Sequence, residues 1–227
     1  MPEPTLLPPL HGILPILDAT YLEQIDTLLP DTVARHLNTL PISWVQLRAK
    51  GDPDQTHAFM LRWQTALRQH APGIRVMLND RVSLVETLQA AGVHVGQEDT
   101  TVETCRQLLT PGRLIGLSTH SLEEIRQAET WKVDYVGFGP VFATLTKKDA
   151  RAVQGVTALA EVCRQTRLPV VAIGGITLES LPAVAAAGAA GAAMISALWQ
   201  KDWEWRMEEA CRRWEQGHRT LSEKATF

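Results

Sequence analysis

The residues of this 227-residue chain with most chemistry to offer are two aspartates, a glycine pair and a set of basic side chains. Asp80 and Asp99 each follow a short apolar run. Brought together, two carboxylates suit one hard cation such as Mg2+, which takes few protein oxygens and completes its shell with water and phosphate. A helix N-cap is the other common use of an aspartate just after a strand. Glu98 could take the place of Asp99 in that role but is expected to face away. Arg48 and Lys50 alternate along one segment and so share a face, and Lys147 stands in a later loop. Arginine offers phosphate a bidentate fork and lysine a point charge, so the three read as a clamp on an anionic leaving group. Lys148 reads as solvated surface. The pair Gly174 and Gly175, with Ile195 and Ser196 after the next apolar run, offers close backbone approach and free N–H groups to a phosphate. A tight strand-to-helix turn would use the same glycines.

The stretch 139–155 is long and has little apolar patterning, as active-site lids often do. Thr144 and Thr146 are its hydrogen-bond donors, and Lys147 would close over phosphate; an idle insertion is the alternative. His94 and His120 read as packed or capping residues. No Ser/His/Asp or Cys/His set is expected on neighbouring strand ends, which argues against nucleophilic acyl chemistry.

These residues must be positioned by something. Short β-branched runs at 13–17, 43–47, 74–78, 93–95, 114–117, 135–137, 170–173 and 192–195 alternate with helical periodicity at 56–69, 121–129 and 178–187, among others. Asp54, Ser121 with Glu124, and Thr177 are the expected helix caps. Parallel neighbours need crossovers, and eight strands close a barrel filled by side chains. The expected fold is therefore a single-domain α/β protein, a (β/α)8 TIM barrel, with an open doubly wound sheet as the alternative. Barrel chemistry sits at the C-terminal strand ends, and the polar residues collect there: Arg48 and Lys50, Asn79 and Asp80, Gln97 to Asp99, Ser118, the loop with Thr144 and Thr146, then Gly175 and Ser196.

The formal net charge of -3 gives no basic field for nucleic acid or anionic lipid. Residues 1–9 lack the basic start and apolar run of a signal peptide. The apolar stretch 183–197 is broken by Gly188 and Gly191 and too short to span a bilayer. Cys105, Cys163 and Cys211 show no ligand or redox spacing. A soluble cytoplasmic protein is expected, with an extension over 1–12, the barrel over 13–200 and a closing helix over 201–227. Trp203, Trp205 and Trp214 of that helix pack on the barrel or on a partner subunit, which leaves a homo-oligomer open.

Seven segments together resemble the thiamine-phosphate synthase (thiamine-phosphate pyrophosphorylase) family. They are Val45-Gln46-Leu47-Arg48-Ala49-Lys50, Leu78-Asn79-Asp80-Arg81-Val82, Gly92-Val93-His94-Val95-Gly96-Gln97-Glu98-Asp99, Gly116-Leu117-Ser118-Thr119-His120, Thr144-Leu145-Thr146-Lys147-Lys148-Asp149-Ala150, Ala172-Ile173-Gly174-Gly175-Ile176 and Met194-Ile195-Ser196-Ala197. They follow the family's order across about 13–200. Ala143 stands where the family often has proline, and Leu17-Asp18 follows its opening only loosely.

The resemblance implies a transferase that joins hydroxymethylpyrimidine diphosphate to a thiazole phosphate, or its carboxylate, giving thiamine phosphate and diphosphate through a pyrimidine carbocation. It implies one Mg2+ on Asp80 and Asp99. Gln46, Arg48, Lys50, Asn79, Ser118 and Lys147 would hold the pyrimidine diphosphate, with Arg48, Lys50, Ser118 and Lys147 catalytic and Ser118 near the ring amino group. Thr144, Leu145, Thr146, Gly175, Ile195 and Ser196 would hold the thiazole phosphate. Small molecules are the only partners implied. A thiazole tautomerase-like isomerase and a non-catalytic barrel that binds a thiamine precursor are the rival readings; Thr144 to Lys148 and the two aspartates favour the synthase.

Overall fold

The computed structural model describes residues 10–25, 28–144 and 152–224. Its order is β1 (Gly12–Asp18), α1 (Ala19–Leu22), α2 (Pro30–Leu37), β2 (Trp44–Arg48), α3 (Pro53–His70), β3 (Arg75–Asn79), α4 (Leu84–Thr87), β4 (Gly92–Val95), α5 (Val102–Leu108), β5 (Leu114–Thr119), α6 (Leu122–Thr130), β6 (Tyr135–Phe138), α7 (Gly155–Gln165), β7 (Val170–Ile173), α8 (Leu181–Ala186), β8 (Gly191–Met194) and α9 (Trp203–Lys224). Every strand pairs in parallel with its sequence neighbours, and β8 returns to β1 with Gly191 opposite Gly12. The sheet closes, which excludes the open doubly wound alternative.

Strand parity sorts the apolar residues into two sets. Ile13, Leu17, Val45, Leu47, Val93, Val95, Ile115, Leu117, Val136 and Phe138 face the helices in one core. Leu14, Ile16, Trp44, Met77, Tyr135, Val171 and Ala193 fill the barrel itself. Two large rings share that narrow interior: Trp44 and Tyr135 meet edge to face, 5.3 Å between centroids and 81° between planes. Room for them comes from small partners. A Cβ on Gly116 would lie 2.1 Å from Cζ of Tyr135, so only glycine fits opposite the ring.

The helix starts depart from expectation in two places. Asp52, not Asp54, caps α3, accepting the N–H groups of Asp54 and Gln55 at 3.0 Å each. Pro53 sets the first helical φ and so moves the cap one residue ahead of itself. Thr177 does not start α8, because it closes a turn with Ser180 and the helix begins at Leu181. Ser121 and Glu124 behave as expected: Ser121 Oγ accepts the Glu124 N–H at 3.1 Å, and Glu124 reaches back to the His120 N–H at 2.7 Å.

The closing helix α9 packs on α8, and a Cβ on Gly217 would come within 2.4 Å of the Pro182 carbonyl oxygen. Trp203 and Trp214 are buried, whereas Trp205 is exposed. Cys105, Cys163 and Cys211 are free, and burial pushes the thiols of Cys163 and Cys211 up to about 12. Among the described residues, no helix is long and apolar enough to cross a membrane.

Candidate active site

The inward parity that places Trp44 in the barrel also aims the next two members of its row, Gln46 and Arg48, at the C-terminal mouth. Gln46 is buried at 4% exposure. Arg48 lies in register with Asp18 at the end of β1, and its guanidinium is ion-paired with the Asp18 carboxylate. Asp18 is 1% exposed and also accepts the Thr20 N–H at 3.0 Å, capping α1. Asp18, given no role by the sequence alone, ends an inward row (Leu14, Ile16, Asp18) as Arg48 does. Lys50 is exposed on the loop after β2.

On the adjacent strands, Asn79 ends β3 opposite His94 of β4. Asp80 follows in the left-handed region (φ 62°), where aspartate is tolerated better than most residues. Its backbone N–H reaches the His94 carbonyl at 2.9 Å and extends the ladder one step, while the Asn79 amide donates to its carboxylate at 2.6 Å. Asp99 folds back to accept the Gly96 N–H at 2.8 Å. Neither aspartate is a helix cap, since Ser83 and Thr101 occupy those positions for α4 and α5. Both carboxylates thus sit at the ends of neighbouring strands and take neutral N–H donors. Among the described residues no group of three or more His, Cys, Asp or Glu could hold a metal. Two carboxylates fit a hard cation that draws its remaining oxygens from water and phosphate, and do not fit a closed all-protein cage.

Ser118 is where the structure corrects the sequence reading. His94, expected as a packed residue, instead bonds Ser118 on the neighbouring strand, and a phenol, not a carboxylate, stands on its other ring nitrogen. His94 Nε2 lies 2.9 Å from Ser118 Oγ, and His94 Nδ1 lies 3.0 Å from the hydroxyl of buried Tyr135. His94, Ser118 and Tyr135 sit in successive strands, and the small Gly116 and Gly137 leave space for the imidazole between them. The signal was available as parity: His94 is in register with Asn79. Gln97 braces the same corner, donating from Nε2 to the Ser118 carbonyl at 2.7 Å. His120 fills the structural role expected of it, with Nδ1 2.6 Å from the Gly139 carbonyl oxygen.

Gly174 and Gly175 both have positive φ (96° and 62°). Their lack of a side chain has a packing cause: a Cβ on Gly175 would lie 2.3 Å from the Ala143 carbonyl oxygen. The strand 7 turn therefore lies under the start of the loop after β6, stitched by Val141 N–H to Ile173 O (2.9 Å) and Phe142 N–H to Gly174 O (3.0 Å). That loop closes on itself, since Gln154 and Gly155 donate to Pro140 and Val141 at 2.8 and 3.0 Å. Thr144 stands half-buried on the loop's near arm. Leu145, Thr146, Lys147 and Lys148 lie outside the described residues. Ile195 is half-buried and Ser196 exposed beyond β8, beside the Gly175 turn because β7 and β8 are neighbours.

A family model described as thiamine monophosphate synthase matches residues 15–198. A thiamine-phosphate synthase of Bacillus velezensis is 44% identical over 162 residues, 69% of this chain and 71% of that protein. One from Myxococcus xanthus is 43% identical over 174 residues, 76% of this chain and 79% of that protein. Among solved structures, a thiamine phosphate pyrophosphorylase from Pyrococcus furiosus has a TM-score of 0.77 at 29% identity, covering 90% of this chain and 96% of that one. A 3-hexulose-6-phosphate synthase from Salmonella typhimurium, with a TM-score of 0.63 at 15% identity over 91% of this chain and all of that one (100%), shares the fold alone.

Proposed function

This chain belongs to the thiamine monophosphate synthase family, and we infer that its barrel mouth joins hydroxymethylpyrimidine diphosphate to a thiazole phosphate, releasing thiamine phosphate and diphosphate. The C–O bond to the diphosphate breaks, and a C–N bond forms between the freed methylene and the thiazole nitrogen. That nitrogen brings its own lone pair, so the protein need not supply a general base. Its task is electrostatic: to accept the charge of the leaving diphosphate while a pyrimidine cation lasts.

The convergence of Gln46, Arg48, Asn79 and Ser118 from β2, β3 and β5 on one mouth is the observation that carries this reading. Arg48, held in the mouth by Asp18, offers its fork to phosphate oxygens, with Lys50 as a second charge on the rim. Gln46, Asn79 and Ser118 orient the pyrimidine end. Thr144, Gly175, Ile195 and Ser196 belong to the β6–β8 side, which suits the thiazole phosphate; Leu145 and Thr146 are assigned to the same phosphate and Lys147 to the diphosphate, all three outside the described residues. Asp80 and Asp99 would hold one Mg2+, which supplies neutralisation of the diphosphate charge.

The test is turnover of both substrates, reading diphosphate and thiamine phosphate together, with Mg2+ and with a chelator. Equal release of the two products is expected. No diphosphate release overturns the synthase reading and leaves an isomerase or a binding barrel. Turnover unchanged by the chelator overturns the metal assignment alone.

A further inference from the structure

Tyr135, His94 and Ser118 form a hydrogen-bonded chain that runs from the barrel interior to its mouth, and the reaction above uses only its last member, Ser118. A serine, an imidazole and a third group in line is also the layout of a nucleophile, its base and an orienter. The third group decides which way the protons point. A carboxylate behind the ring takes the Nδ1–H, so Nε2 accepts the serine proton and activates the oxygen.

Here the third group is a phenol. Tyr135 is 0% exposed, and its ring is wedged against Trp44. Burial, with the nearby Asp134 charge adding to it, pushes its hydroxyl pKa well above the ordinary value. The hydroxyl keeps its proton, and a buried O–H without an acceptor is costly. Among the described residues the hydrogen-bond partner of Tyr135 Oη is His94 Nδ1, at 3.0 Å. A protonated imidazole would set N–H against O–H there. A neutral ring that accepts at Nδ1 carries its proton on Nε2, and that N–H faces Ser118 Oγ at 2.9 Å.

We propose that Tyr135 and His94 are positioning residues that fix Ser118 as a hydrogen-bond donor to an acceptor atom of the bound substrate, the reverse of a nucleophilic serine. The substrate's identity rests on the synthase reading above; the polarity of the chain does not. One lone pair of Ser118 is taken from below, so its own proton is committed to the mouth. The ring amino group, which only donates, is then not the group that receives it.

Histidine side-chain nitrogen NMR on the whole protein tests the polarity without turnover, with the His94 signals assigned by their loss in His94→Gln. The expected result is the Nε2–H tautomer, relaxing to a tautomer mixture in Tyr135→Phe. An Nδ1–H tautomer in the wild type overturns the proposal. Kinetics supply the second arm. Tyr135→Phe should lower kcat about fivefold, as loss of one ordinary hydrogen bond does, with KM nearly unchanged, and should cost nothing further in a Ser118→Ala background. A loss that adds fully to that of Ser118→Ala would mark Tyr135 as merely structural and overturn the proposal. If the wild type makes no thiamine phosphate, the synthase reading fails while the tautomer still decides the polarity.

Discussion

The two ends of this barrel use charge differently. At the floor, where the strands begin, charged groups are consumed by the fold. Arg106 of α5 donates to the carbonyls of Lys132 and Arg113 at 2.7 Å and to the Asp134 carboxylate at 2.6 Å, and Asp134 in turn accepts the Ile115 N–H at 2.6 Å. Arg113 pairs with Glu86 at 2.9 Å, while Glu86 also takes the Thr110 N–H and hydroxyl. Glu129 holds Thr166 and Arg167 ahead of β7. Each set ties the lead-in of one strand to a neighbouring element. At the mouth the carboxylates of Asp80 and Asp99 are oriented by an amide and a backbone N–H. These bonds orient each carboxylate from within its own segment, one and three residues away, whereas the floor pairs tie one element to the next.

The strongest challenge to this contrast is substitution of the mouth aspartates. Asp80→Asn and Asp99→Asn should each lower diphosphate release by about 10²- to 10³-fold, the range for losing one electrostatic stabiliser, with melting temperature nearly unchanged. A melting temperature that falls with the activity would make them structural groups like those of the floor. Asparagine is chosen at position 80 because it tolerates the left-handed backbone.

Asp18 tests the boundary between the two regimes, since its pairing with Arg48 is buried yet lies at the mouth. Asp18→Asn leaves the guanidinium, whose side chain is 11% exposed, without its counter-charge. Denaturant unfolding should register a loss of about 3 kcal/mol, and steady-state kinetics a raised KM for the diphosphate substrate. Unchanged stability would mean that solvent or another group replaces the carboxylate.

On the floor the effect should be smaller and confined to stability. Arg106→Ala removes a charged donor from two carbonyls and a carboxylate, a loss of about 2 kcal/mol in unfolding free energy, with kcat and KM held. Changed kinetics would show that the two ends are coupled.

The mildest prediction concerns pH. The hydrogen bond from Arg113, reinforced by those from Thr110, holds the Glu86 carboxyl down at about 2, against 4.5 ordinarily. A depressed folded-state pKa stabilises above the unfolded value, and the stabilisation is lost as pH falls through the folded one. Glu86→Gln should therefore melt slightly below the wild type at pH 7. The gap should close between about 4.5 and about 2, as thermal melts across that range will show. A gap that persists at the acid end would place the effect in packing instead.

Much of this protein was legible in its sequence because local physics sufficed. Alternation of β-branched runs and amphipathic segments marks strands and helices, and polar residues just past the strands mark the mouth, wherever the strands close. Short-range chemistry was also readable, as at Ser121 and Glu124. The α3 cap was misplaced because Pro53 acts on the residue before it, and the α8 start because Thr177 and Ser180 had a turn to close between themselves.

What the tertiary structure alone decided is which separated residues meet. A residue's strand and parity are local properties, but its partner depends on register around the closed sheet. Asp18 finds Arg48, and Tyr135 finds Ser118 through His94, only after β1 to β6 are laid side by side. The same holds for Gly175, whose need to be glycine comes from the backbone of a different loop. The sequence determined what each strand end carries; closure of the barrel determined what those groups do to one another, because hydrogen bonds and ion pairs act over a few ångströms and not along the chain.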